Sequence, residues 1–170
     1  MSRLAILEYP DIRLRDQAVP VTDFGGALHE LVDDMFETLR ASRAIGLAAP
    51  QVGYNQRIVV VDASGTGNAP TLFINPRITA RHLWAVIEES CLSVPGLEGR
   101  VKRCLRVTVE AQDRHGRPFT RHLEDMEAVV VQHELDHLEG VLFVDRLPLL
   151  RQLVWRWKNR HVAEPGRVSA

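Results

Sequence analysis

Leu28, Leu31, Val32, Met35, Phe36 and Leu39 recur at helical spacing with acidic residues between them. That period predicts an amphipathic helix over Ala27 to Leu39, with Pro20 and Gly25-Gly26 as the loop before it. The pattern then changes. Gly46 to Gly53 is small and too irregular for a helix, whereas Arg57 to Asp62 is a β-branched run that predicts a buried strand. Thr71 to Asn75 reads as a short strand stopped by Pro76, and Trp84 to Ile87 leads toward Cys91. Leu105, Val107, Val109 and Ala111 alternate with polar residues. A turn at Asp113 to Gly116 then returns Pro118 to Leu123 as the second strand of a hairpin. Val129, Val130 and Val131 lead into a buried helix from about Met126 to Leu138, with Gly140 placed to end it. A last helix is predicted from Leu147 to about Val162, before Pro165-Gly166.

Strands dominate the middle and helices the two ends, which predicts an α+β fold. A chain of 170 residues suits one domain with a real core. No apolar stretch approaches the length of a membrane span. Glu8, Asp11 and Arg13 interrupt any secretory pattern early, so a cytoplasmic location is expected. Cys91 and Cys104, without an export signal, argue against a disulfide framework. The net charge of −1 is unevenly spread. Arg151, Arg156, Lys158, Arg160 and Arg167 against Glu164 give residues 151–170 a charge of +4, which leaves −5 on the rest. The tail is therefore the expected contact for an acidic partner.

Residues 132 to 140 read Gln-His-Glu-Leu-Asp-His-Leu-Glu-Gly. On a helix, His133 and His137 share one face a turn apart and can reach a single metal ion. Glu134 then flanks the ion, where it can take a proton from water. A catalytic metal usually keeps three protein ligands, so the third must come from elsewhere in the chain. Cys91, between a strand-like run and a Pro-Gly turn, is the candidate beside such a helix, while Cys104 keeps a structural reading.

Three segments together resemble the signatures of the peptide deformylase family, in order and separation. They are Gly46-Leu47-Ala48-Ala49-Pro50-Gln51, Glu89-Ser90-Cys91-Leu92-Ser93 and Gln132-His133-Glu134-Leu135-Asp136-His137. The likeness runs from Ile6-Leu7-Glu8-Tyr9-Pro10 to Gly140-Val141-Leu142-Phe143-Val144-Asp145. The resemblance implies a single domain with antiparallel sheets around a central metal-binding helix, flanked by N- and C-terminal helices. Residues 1–146 would form the catalytic part, and residues 147–170 a basic helix and tail packed on it. The implied reaction removes the formyl group from N-formylmethionyl chains by attack of water activated at the metal. By motif position, Cys91, His133 and His137 hold the metal and Glu134 is the acid–base residue. Gln51 donates its side-chain amide, and Leu92 its backbone N–H, to the developing oxyanion, and Gly46 contacts the peptide. The implied native metal is Fe(II), and the ligand types also permit Zn(II) or Ni(II). The last helix is expected to touch ribosomal RNA or protein.

The chain departs from the family pattern at Ala44 and Ser90, which replace glycines, and at Glu98, where arginine is common. Either glycine site would be strained here if it required positive φ. A zinc protease using the same helix is a competing reading, but no downstream His or Glu stands in a zincin arrangement. A deformylase-like protein that binds metal or peptide N-termini with low or altered activity is the other. Glu89 is expected to tether an arginine such as Arg103, and Asp136 to be solvated or structural. Gln132 either orients a ligand or satisfies local backbone. His29, His82, His115, His122 and His161 are expected at the surface, and Arg77, Arg81, Arg100, Lys102 and Arg103 to form no continuous basic patch. On the last helix, Leu150, Leu153, Val154 and Trp157 form a stripe suited to docking, with the cations and Trp155 projecting elsewhere.

Overall fold

The first amphipathic repeat forms α1, Gly26–Ser42, in a computed structural model that describes residues 2–66 and 70–159. The irregular Gly46–Gly53 segment splits into β1, Gly46–Ala48, and a 3-10 turn, Ala49–Val52, with Pro50 near the start of the turn. The β-branched run becomes β2, Ile58–Val61. Its four residues are buried on both faces: Val59 and Val61 enter one core, Ile58 and Val60 the other, which packs on α1. Each fully buried residue of this size contributes roughly 1.5–3 kcal/mol, so the run anchors two layers at once.

Pro76 does not stop the next strand. β3 runs as Thr71–Cys91 and pairs with β4, Val94–Gln112, in a long antiparallel hairpin. The register shifts between Ile74 and Arg77, and a bulge is where a residue without an N–H is tolerated. Asn75, at φ 51°, holds that bulge: its side chain accepts from the Val21 N–H (2.8 Å) and donates to the Val21 carbonyl (2.9 Å) and to Gln112 (2.7 Å). β5, Pro118–Glu124, completes a five-stranded sheet of order β1 to β5, antiparallel at every step. The expected small strands are therefore parts of one meander.

α2, Asp125–Leu138, is the histidine-bearing helix, and it packs against β1, β2, β4 and β5. Every residue from Ala128 to Glu134 is buried, as an apolar-rich helix central to a fold requires. Gly140 ends it as expected. It sits at φ 68°, and a Cβ there would meet the Arg15 carbonyl oxygen at 2.3 Å. That approach fixes the N-terminal segment against the end of the helix.

α3, Leu149–Lys158, docks by a different face from the one its periodicity predicts. Leu150, Leu153, Val154 and Trp157 are exposed, and Trp155 is the buried residue of the helix. Its ring meets Tyr9 at 4.5 Å between centroids and joins a cluster with Leu14, Val101 and Phe143. Gln152 donates to the carbonyls of Asp145 (3.0 Å) and Leu147 (2.8 Å), setting the helix angle. One indole fills the niche that the aliphatic stripe would have covered. The continuation to Val162, with Arg160 and His161, lies outside the described residues. Trp155→Ala is expected to lower unfolding stability by about 3 kcal/mol, as for a large-to-small core change. Leu153→Ala should stay within about 0.5 kcal/mol. Urea unfolding followed by circular dichroism checks the pair, and the reverse order would mean that the stripe is the docked face.

Candidate functional site

α2 presents His133 and His137 on one side, with ring centroids 5.2 Å apart. The end of β3 brings Cys91 to the same point, and its Sγ lies 3.2 Å from His137 Nε2. One donor atom from each of Cys91, His133 and His137 falls within 4.8 Å of the others, and all three residues are buried. One thiol and two imidazoles suit a tetrahedral ion with an open position, so the donor set fits a catalytic metal.

The residues around these donors set their state. His133 Nδ1 faces Glu89 Oε2 at 2.9 Å, which turns its other nitrogen toward Cys91 and His137. Burial alone would raise the Glu89 pKa, but hydrogen bonds from His133 and Arg103 and the Arg103 charge carry it down to about 2. Burial, together with the nearby positive groups, drives His137 toward the neutral form that a ligand needs. Glu134 is buried, and burial pushes its carboxyl up to about 7. Its Oε2 has no hydrogen-bond partner, so a buried acid with a free oxygen stands beside the donors. Gly46 makes this possible. A Cβ there would lie 2.4 Å from Glu134 Oε1 and 2.6 Å from Val130 Cγ1.

Gln51 is buried with its two ends separated. Its oxygen accepts the Ala48 N–H (2.8 Å), while its amide nitrogen points to Ser93 Oγ (3.2 Å) and Cys91 Sγ (3.7 Å). The N-terminal segment joins these pieces, because the Leu7 N–H donates to the Gln51 carbonyl (2.7 Å) and the Tyr9 N–H to that of Ser93 (2.8 Å). A cavity of about 720 Å³ opens over the cluster, lined by Gly46, Gln51, Cys91, Leu92, His133 and Glu134 among others. Every sequence-predicted site residue thus meets at one place. Ala44 and Ser90 line the same cavity, and neither has positive φ, so the strain that a lost glycine would bring is absent.

Glu89 tethers Arg103, as expected, by two bonds of 2.7 and 3.0 Å. Its bond to His133 was not anticipated, nor was the part played by Ser93. Both lie within the segment around Cys91, so adjacency to a ligand was the available signal. Asp136 is structural: it is buried and accepts from Arg103 (2.7 Å) and Arg146 (2.5 and 3.0 Å). Gln132 satisfies backbone, donating to the Cys104 carbonyl (2.8 Å) and accepting its N–H (3.1 Å). Cys104 is a core residue. His82, His115 and His122 are exposed, while His29 is half-buried with its ring on the Arg114 carbonyl (2.8 Å).

A sequence model of the family described as polypeptide deformylase matches residues 3–152. The chain belongs to that family. It is 49% identical over 152 residues to a peptide deformylase of Chromobacterium violaceum, covering 89% of this chain and 91% of that protein. A peptide deformylase of Alkalilimnicola ehrlichii is 46% identical over 170 residues, covering 99% of this chain and 96% of the relative. Among solved structures, that of a peptide deformylase from Legionella pneumophila superposes with a TM-score of 0.87 at 41% identity, over 96% of this chain and all of the other. Deformylases are metal-dependent, which agrees with the Cys91, His133 and His137 cluster.

The buried pairing of Glu89 generates a prediction for stability. Its folded pKa of about 2 lies below its ordinary value of 4.5, so its contribution is present above about pH 4.5 and is lost as pH falls toward 2. Glu89→Gln should destabilise the fold by about 3–5 kcal/mol near neutrality, since it leaves Arg103 buried with one partner fewer. The gap between parent and variant should narrow at acid pH. Urea titrations across that range test it, and an equal gap at both ends would show that the pairing does not carry the effect.

Proposed function

We propose that this chain hydrolyses the N-terminal formyl group of N-formylmethionyl nascent polypeptides and releases formate. The observation that carries the reading is the buried Glu134, one carboxylate oxygen unpartnered, beside the Cys91, His133 and His137 donors and lining a cavity open to solvent. Cys91, His133 and His137 hold the ion, with Fe(II) as the native metal and Zn(II) or Ni(II) as permitted substitutes. When bound, the ion supplies Lewis-acid chemistry, polarising the formyl oxygen and lowering the pKa of water toward neutrality. Glu134 takes the proton of the attacking water and passes it to the amine as the C–N bond breaks. The formyl carbon leaves as formate, and the new N-terminus leaves as a free amine.

The Gln51 amide and the Leu92 backbone N–H donate to the oxygen as negative charge develops on it. Because the Gln51 side-chain oxygen accepts the Ala48 N–H, its NH₂ is turned toward Cys91 and Ser93, on the side of the donors. Gly46 offers a side-chain-free edge to the peptide backbone. Glu89 positions His133, and Arg103 positions Glu89.

Residues 1–146 carry this chemistry and residues 147–170 carry the attachment. Among the described residues no helix is long and apolar enough to cross a membrane, which agrees with a cytoplasmic enzyme meeting chains as they emerge. The exposed cations Arg151, Arg156 and Lys158 on α3 support contact with ribosomal RNA or protein.

Two tests follow from these roles. Cys91→Ala should lose stoichiometric metal, while Cys104→Ala retains it. Glu134→Ala should retain metal but lose at least about 10²–10⁴ in turnover. Anaerobic formate release from formyl-Met-Ala with Fe(II) supplied, beside metal analysis, gives both readouts. Substantial turnover by metal-loaded Glu134→Ala would remove the acid–base role. For attachment, changing Arg151, Arg156, Lys158 and Arg160 to Gln preserves helix propensity and removes charge. Ribosome co-sedimentation should weaken, with a flatter salt dependence, while formyl-peptide hydrolysis is nearly unchanged. Equal sedimentation at low salt would reduce α3 to a cover on the core.

A further inference from the structure

A second cavity, of about 590 Å³, lies between α2 and the β3–β4 hairpin, and it shares no lining residue with the candidate active site. Arg57, Arg77, Arg81, Lys102, Arg103 and Arg146 line it. The hairpin therefore gathers Arg77, Arg81 and Lys102, which looked scattered along the sequence, into one place. Four of the six cations are already paired: Arg57 with Glu139, Arg77 with Glu110, Arg103 with Glu89 and Asp136, and Arg146 with Asp136. Both carboxylates in the lining, Asp136 and Glu139, are consumed by those pairs. Arg81 and Lys102 remain, exposed and without a carboxylate partner among the described residues. An unneutralised guanidinium and ammonium in a concave wall form a ready anion site.

The third component is Trp84, which is 58% exposed and lines the same cavity. Lys102 Nζ lies 5.2 Å from its ring centroid. In a regular strand, residues three apart point to opposite faces, so Arg81 and Trp84 should not share a wall. They do, and between them Leu83 has φ 55°, a left-handed backbone uncommon for a bulky residue. The cavity wall thus holds an indole with Arg81 beside it and Lys102 already over one face of the ring. An acidic peptide would use the cations and leave the ring without a role. A phosphate ester joined to a planar base uses both, through ionic contact and stacking.

We propose that this cavity binds a nucleotide, free or within single-stranded RNA, with Arg81 and Lys102 on the phosphate and the base stacked on Trp84. Deformylation does not depend on it, because none of these three residues lines the active-site cavity.

The test uses the full metal-loaded chain in the background that has Gln at 151, 156, 158 and 160, so that α3 does not contribute. Anisotropy of a fluorescent single-stranded RNA of about eight nucleotides reports the polymer at about 50 mM salt, and equilibrium dialysis of AMP reports the free nucleotide. Changing Arg81 and Lys102 together to Gln should weaken binding at least about ten-fold and reduce the salt slope by about one to two. Trp84→Ala should weaken it by about five-fold or more with the slope kept. Formyl-peptide hydrolysis should be unchanged in both variants, which separates this site from the deformylase reading. Binding of AMP and RNA alike identifies a free nucleotide as sufficient, and binding of RNA alone identifies the polymer. Absence of binding by either ligand overturns the proposal. So does equal affinity in parent and Arg81/Lys102 variant, or loss in that variant with none in Trp84→Ala, which would leave a plain anion site.

Discussion

Arg103 is a guanidinium taken out of water, and taking it out would cost several kcal/mol without compensation. Its compensation is the architecture itself. Glu89 on β3 and Asp136 on α2 accept its hydrogen bonds, and Arg103 on β4 lies between them, so one charge ties two strands to the central helix. The field of those carboxylates raises the Arg103 pKa against the effect of burial, so the cation persists. Glu89 can then remain ionised in the interior and accept from His133. Relax the guanidinium and a carboxylate, an imidazole and the metal-facing geometry relax with it. Cavities on both sides of α2 inherit their shape from this junction, since Arg103 lines one and Glu89 the other.

Legibility in the sequence followed how local each signal was. The helical repeat of α1, the β-branched run of β2 and the His-Glu-x-x-His helix each carry their period within one element, and each folded as its pattern indicates. The site was legible because its three segments resemble family signatures and because two donors are spaced by one helical turn. Pro76 misled because a proline ends a strand only where its missing N–H would be needed, and here a bulge anchored by a distant residue, Val21, removes the need. The docking face of α3 was misread for a related reason. Its stripe has the right spacing, but the niche offered by Tyr9 and Phe143 selects an aromatic ring, and that niche is assembled by residues remote in sequence. Scattered cations on β3 and β4 became neighbours only through the register of the hairpin.

The three departures from the family pattern can be weighed against Gly46 in the same terms. Gly46 is favoured for a steric reason: the first carbon of any side chain would displace Glu134 and Val130. Ala44 and Ser90 have ordinary backbone conformations, and both sit on the wall of the cavity with their side chains accommodated. Glu98 is exposed across the hairpin from Ser90 and does not line the cavity, so it leaves the donor cluster untouched. The constraint on this site is therefore steepest at the atoms packed around the acid and declines outward. Gly46 is constrained by the volume of Glu134, and Glu89 by the charge of Arg103 and its bond to His133.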